Sequence, residues 1–249
     1  MLDDEIKELL GSKSWKFYQA ITEYDSYVDA SNRMMMGRLN YNDHGVTHSK
    51  IVTRNSLKIL DVIKDDVPLN IIKEGIGDLE VVKMVLIAGS YLHDIGNMVH
   101  REYHHIIACS LAQPLLKETL SKVYQGPHFI QILADMLHCI YSHDEIVRCI
   151  TIEAGIVSVA DGTDMEEGRA RIPFEHGKLD IHSLSALSIS KVEILRGKKK
   201  PLRISVTMED NAGIFQIQQV LGRKLDSSGL GEYVEIVAKV RGEEIRLSI

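Results

Sequence analysis

Apolar side chains recur at three- and four-residue intervals through the first two thirds of the chain, the spacing of one face of an α-helix. Leu9, Leu10, Trp15, Phe17, Tyr18 and Ile21 open the series. From 49 to 63, Ile51, Val52, Leu57, Ile59, Leu60 and Ile63 fall largely on one face, which predicts an amphipathic helix. The run LEVVKMVLIAGSYL at 79–92 is apolar almost throughout, as befits a buried central helix. Gly96, just beyond it, reads as a C-terminal cap. Two further helices are expected at about 103–124 and 128–142, divided by Gly126–Pro127. ITIEAGIVSVA at 150–160 reads as helix, although its β-branched residues also suit a strand.

Near residue 184 the period changes. ALSISKVEIL at 186–195 and LRISVTM at 202–208 alternate in the manner of strands, with a turn from Gly197 to Pro201 between them. Ile214, Phe215, Ile217, Val220, Leu221 and Leu225 then form a helical stripe over 211–225. Two more strand-like runs, 233–240 and 244–249, flank Arg241–Gly242. The order β-β-α-β-β predicts an α+β protein: a helical domain over 1–183, then a small α+β domain over 184–249 for dimerisation or regulation.

Composition narrows the class. A chain of 249 residues, 45% hydrophobic and 26% charged, can bury a large core without disulfides. No apolar run approaches the ~20 residues of a membrane-spanning helix. The acidic, amphipathic start is unlike a secretory signal. Cys109, Cys139 and Cys149 lack CxxC spacing and lie in apolar surroundings, so a reducing, cytoplasmic location is expected. The net charge of −6 is uneven, with an acidic body over 1–183 and a net basic stretch over 184–249. An acidic body argues against nucleic acid as a partner, since that binding neutralises phosphates with Lys and Arg. Handling phosphate here would require a bound cation.

The 11 histidines carry the chemistry, because none precedes His44 and none follows His182. His44 and His48 stand one helical turn apart. His93–Asp94 closes the apolar run, where a buried carboxylate calls for a cationic partner. His100, His104, His105, His138 and His143 follow, and Asp161 ends another apolar run with Asp164 close behind. Nitrogen and carboxylate donors without thiolates suit iron, manganese or zinc.

The order His48, His93–Asp94 in LHDIG and Asp161 in SVADGTD resembles the HD-domain superfamily of metal-dependent phosphohydrolases, over roughly residues 40–170. The resemblance implies a helical bundle holding a metal through His48, His93, Asp94 and Asp161. It is similar in layout to dinuclear members such as the diadenosine tetraphosphate hydrolase and ribonuclease Y groups. His104, with Ala108 and Ala112 following at helical spacing, and His143 in Ile140-Tyr-Ser-His143 match those groups' ligands for a second metal. Asp94 is then the bridging, catalytic residue. The implied cofactor is one or two divalent transition-metal ions, iron or manganese foremost, with zinc, nickel, cobalt or magnesium as other candidates. Asn97 stands where several families have Lys, which puts transfer of that phosphate contact in doubt. Arg169 and Arg171 are the candidate phosphate contacts, with surface pairing to Glu166 or Glu167 as the alternative. His44 and His100 are candidate substrate contacts, while His105 and His138 read as structural and His128 as an exposed loop residue.

The expectation is a phosphohydrolase cleaving a phosphomonoester or phosphodiester, most simply of a nucleotide, and forming a homo-oligomer through the C-terminal domain. The alternative is a nucleotide-sensing or scaffold protein that binds without hydrolysis.

Overall fold

The computed structural model describes residues 2–166 and 185–245. Arg169, Arg171, the 183/184 boundary and the end of the last strand-like run lie outside the described residues.

Short helices α1 (Leu2–Glu8) and α2 (Ser12–Ile21) are separated at Gly11, and α3 (Asp25–Leu39) follows after one 3-10 turn. Next come α4 (Val46–Ile63), the single turn α5 (Asn70–Lys73) and α6 (Leu79–Leu92). A 3-10 segment at Ile95–Met98 leads to α7 (His104–Val123), α8 (Phe129–Tyr141) and α9 (Ile152–Gly162). The apolar run of α6 is buried from Val81 to Leu92 apart from Lys83, and the helix packs against α2, α4, α8 and α9. Its start is fixed by Asp78, whose side chain accepts the Val81 amide hydrogen at 3.1 Å. Residues 152–162 form helix rather than strand. The Thr151 hydroxyl caps that helix by accepting the Ala154 amide at 3.1 Å, and two of its glycines, Gly155 and Gly162, lie against a later helix.

Gly96 differs from its expected role. It does not adopt the left-handed conformation of a C-cap. It lies inside the 3-10 segment, where an added Cβ would collide with the His104 carbonyl oxygen and come within 2.7 Å of the Ala108 nitrogen. The missing side chain therefore lets the first turn of α7 rest directly on the loop after α6.

The C-terminal part follows the expected order. Strands β1 (Ile189–Arg196) and β2 (Leu202–Met208) form an antiparallel hairpin. A continuous helical stretch then runs as α10 (Gly213–Gln216), a π-helical segment (Ile217–Gly222) and α11 (Arg223–Ser228). It leads to β3 (Val234–Val240), which pairs parallel to β2, and β4 (Glu243–Ile245) pairs antiparallel to β3. The sheet order is β1-β2-β3-β4. One hydrophobic cluster takes in α6 and α9 as well as Ile204, Val206, Leu221 and Ala238. The sheet and its helix thus share their core with the bundle. No described helix is long and apolar enough to cross a membrane.

Candidate metal centre

The ligand-type side chains gather because five helices bring their ends to one place. His48 lies in the first turn of α4, and His93 and Asp94 directly follow α6. His104 opens α7, His143 stands two residues after α8, and Asp161 lies in the last turn of α9. All six are buried.

The centre has two halves that meet at Asp94. Asp94 Oδ2 faces His93 Nε2 at 3.4 Å and His48 Nε2 at 3.7 Å. Asp161 Oδ1 adds to that side, 3.3 Å from His48 Nε2 and 3.8 Å from His93 Nε2. Asp94 Oδ1 faces the other way, towards His104 Nε2 at 3.4 Å and His143 Nε2 at 3.8 Å. One carboxylate thus serves two nests of ring nitrogens.

The rings are held in a fixed tautomer. His93 Nδ1 donates to the Ser90 carbonyl at 2.9 Å, His104 Nδ1 to that of Arg101 at 3.1 Å, and His143 Nδ1 to that of Ile140 at 2.6 Å. His48 Nδ1 donates instead to Asp164 Oδ2 at 2.6 Å. In its neutral form a ring so held points its Nε2 lone pair inward. His48 and His93 oppose theirs at 3.2 Å, and His104 and His143 at 3.1 Å. Facing lone pairs at this distance repel unless a cation takes both.

The charge states agree with that demand. Burial pushes His104 down to about 4 and holds His143 well below the usual histidine range, so both are neutral near pH 7. Burial alone would raise Asp94, yet His93 and His44 around it hold its carboxyl well below the usual carboxylate range. Asp161 is likewise opposed by burial and held low by the Lys224 ammonium and His48. Neutral imidazoles facing ionised carboxylates are the donor set of a divalent transition metal. The residues present fit such ions in both halves. A further group, His104, His105 and Asp144, could also hold a cation, with Asp144 Oδ2 3.7 Å from His105 Nδ1.

The remaining candidates fall in different places. His44 lines the cavity above Asp94, its Nε2 3.9 Å from Asp94 Oδ2 and its Nδ1 donating to the Asn42 carbonyl at 2.6 Å. His100 is exposed outside the cavity lining, and its Nδ1 accepts the Glu102 amide at 3.0 Å. It follows the 3-10 segment, whose direction carries it away from the ligands. Arg169 and Arg171 lie outside the described residues.

Two cations of the cavity lie outside the sequence motifs. Arg101 Nη1 donates to His104 Nε2 at 3.2 Å and lies 4.0 Å from Asp94 Oδ1. Lys224 of α11 donates to Asp161 Oδ2 at 2.6 Å. Burial opposes its charge, and Asp161 outweighs that, so its pKa is raised. Arg101 stands among the motif histidines and could have been weighed with them. Lys224 carries no signal in the sequence. Asp164 was noticed beside Asp161, but only the fold reveals it as the acceptor for His48. Asp164→Asn keeps the shape and removes the charge that orients this ring. Metal affinity is expected to fall about 10- to 100-fold in a competitive chelator titration, against no change if the ring is held by packing alone.

A family model described as HD domain matches residues 45–166. The uncharacterized protein MJ1020 of Methanocaldococcus jannaschii is 43% identical over 244 residues, an alignment covering 97% of this chain and 94% of that protein. No solved structure matches the chain. The matched segment begins at the N-cap of α4 and ends just past Asp164, so it contains every residue of the two-halved centre. The chain belongs to the HD-domain superfamily, whose members are mostly metal-dependent hydrolases.

Proposed function

We propose that this protein is a phosphohydrolase with two divalent metal ions that share Asp94 and cleaves a small phosphorylated substrate. The observation that carries the reading is the division of the Asp94 oxygens, Oδ2 towards His48 and His93 and Oδ1 towards His104 and His143. A mononuclear centre has no use for the second nest.

Among the described residues, the adjoining cavity, about 370 Å³, is lined by the carboxylates Asp94, Asp144, Glu145, Asp161 and Asp164 against the cations Arg101 and Lys224. That excess of negative charge repels a phosphate, and two divalent ions reverse its sign. When bound, the ions supply the Lewis acidity that activates water and withdraws charge from the phosphoryl group. The chain does the rest. Arg101 stands partly exposed beside the His104 half, where its fork can take a phosphoryl oxygen as negative charge builds on it. His44 directs Nε2 at the cavity from above Asp94, placed to accept or return a proton on the substrate side. The volume suits a nucleotide or a compound of similar size. Arg169 and Arg171 remain proposed phosphate contacts, and a cytoplasmic homo-oligomer remains the proposed setting.

Metal analysis of protein purified without oxygen tests the reading. About two ions per chain are expected, falling in His104→Ala and His143→Ala, with metal-dependent release of product from a panel of phosphate mono- and diesters. One ion per chain, insensitive to both changes, would overturn the dinuclear centre. Loaded protein that binds nucleotides yet hydrolyses none of the panel would instead support the sensing role.

A further inference from the structure

The C-terminal helical stretch enters the centre through one side chain. Among the described residues, Lys224 is the only lysine or arginine that is buried, at 7% exposure. Its ammonium donates to Asp161 Oδ2 at 2.6 Å and to the His143 carbonyl at 2.7 Å. Those two acceptors belong to different halves of the metal centre and to segments 18 positions apart, the end of α9 and the turn after α8.

The contact is built into the packing. An added Cβ on Gly155 of α9 would collide with the Ser228 carbonyl of α11, and one on Gly162 would come within 3.2 Å of Lys224 Cδ and 3.3 Å of Leu221 Cα. Two glycines seven positions apart on one face of α9 thus let α11 approach. The Cys149 amide donates to the Ser227 carbonyl at 2.9 Å, which ties the segment after His143 to the same helix. An ammonium is expensive to bury unless its hydrogens are taken, and these two acceptors take two of its three.

We propose that Lys224 is a positioning residue of the metal centre, fixing one ligand from each half and thereby making the C-terminal helix part of the site. The inference rests on the two-metal reading above. With Oδ2 committed to Lys224, Asp161 offers only Oδ1 to the His48–His93 half, 3.3 Å from His48 Nε2. The second bond holds the backbone that carries the His143 ring. A lysine that served only to strap the sheet to the bundle would be required for folding and indifferent to metal.

The test uses Co(II) alone, titrated without oxygen into metal-free full-length protein and followed by visible absorption, whose intensity reports ligand number and geometry. Lys224→Met keeps the aliphatic stem and removes the charge, Lys224→Gln keeps a donor for one acceptor, and Arg223→Met is an exposed control on the same helix. Wild type and Arg223→Met are expected to bind two ions with one spectrum. Lys224→Met is expected to bind both at least ~10-fold more weakly with altered band intensities, and Lys224→Gln to fall between, with unchanged far-UV circular dichroism. A Lys224→Met isotherm and spectrum identical to wild type overturn the positioning role and leave the two-metal reading standing. Wild type that takes up no Co(II) overturns both. Failure of both Lys224 variants to fold also overturns the assignment and makes the residue a structural strut.

Discussion

Asp94→Ala is expected to empty both halves of the centre and to lower hydrolysis on the order of a thousandfold or more. Each Asp94 oxygen serves a different nest, so its removal takes one ligand from both ions at once. What remains is two pairs of ring nitrogens at 3.1 and 3.2 Å, with Asp161 the sole ligand carboxylate between them. A lost Lewis acid forfeits several kcal/mol of transition-state stabilisation, and each 1.36 kcal/mol is tenfold in rate. Metal analysis and product release on the same sample measure both effects. Full activity in the variant would sink the mechanism, and retention of a single ion would show that the halves fill independently. Asn97 donates to Asp94 Oδ1 at 2.8 Å and keeps the carboxylate turned towards the His104 half. Asp94→Asn is expected to preserve this shape while losing the charge, which separates geometry from electrostatics.

Gly96→Ala carries the second large effect. Its new methyl would press on the backbone of α7 at His104 and Ala108, and backbone yields far less readily than a flexible side-chain end. Overpacking of this kind costs about 3 kcal/mol. For a chain of this size that lowers Tm by roughly 6–12 °C. The displaced segment also bears His104, so the ion held by His104 and His143 is expected to be lost while that of His48, His93 and Asp161 remains. Calorimetry and metal counting on one preparation measure the two consequences. Gly37 in α3 is the comparison, since no described atom stands within 4 Å of its added Cβ, and Gly37→Ala should leave the ion count intact and Tm unchanged or slightly raised. Unchanged Tm and two ions in Gly96→Ala would show that α7 can shift without penalty.

What the sequence made legible was whatever is local. The helix at 79–92 and the strand at 202–208 appear with the limits read from their periodicity, because continuous apolar runs and strict alternation have few competing interpretations. The stretch at 150–160 reads as helix, and its β-branched residues also suit a strand. Two glycines settle it, since they serve as a docking face for α11 and a strand would have presented them to opposite sides. The π-helical segment at Ile217–Gly222 has no counterpart in the apolar stripe, which fixes a face but not the hydrogen-bond register. Gly96 was visible as a glycine after a helix, and that position fits a cap or a close approach equally well. Only the arrival of α7 decides between them.

The six ligand-type residues could be selected because the order His48, His93–Asp94 in LHDIG and Asp161 in SVADGTD, with His104 and His143 between, resembles the HD-domain superfamily. The cations belong to no such motif. Arg101 looks like any loop arginine until the fold turns it over the His104 half. Lys224 occupies a polar position on a helix otherwise read for its apolar stripe, 63 positions from Asp161, and no local rule connects the two. His100 was favoured by nearness in the chain alone, and the segment after Met98 turns it outward.

Three of the four ligand histidines lean on a carbonyl three positions earlier in their own segment, those of Ser90, Arg101 and Ile140. A carbonyl is present whatever side chain the residue bears, so these supports are invisible to substitution. Drift at Ser90, Arg101 or Ile140 can change packing or charge without releasing a ring. His48 is the exception, because its acceptor is the side chain of Asp164. Mutation can soften, strengthen or remove that one support, so of the four ring supports only this one is adjustable by substitution of its acceptor.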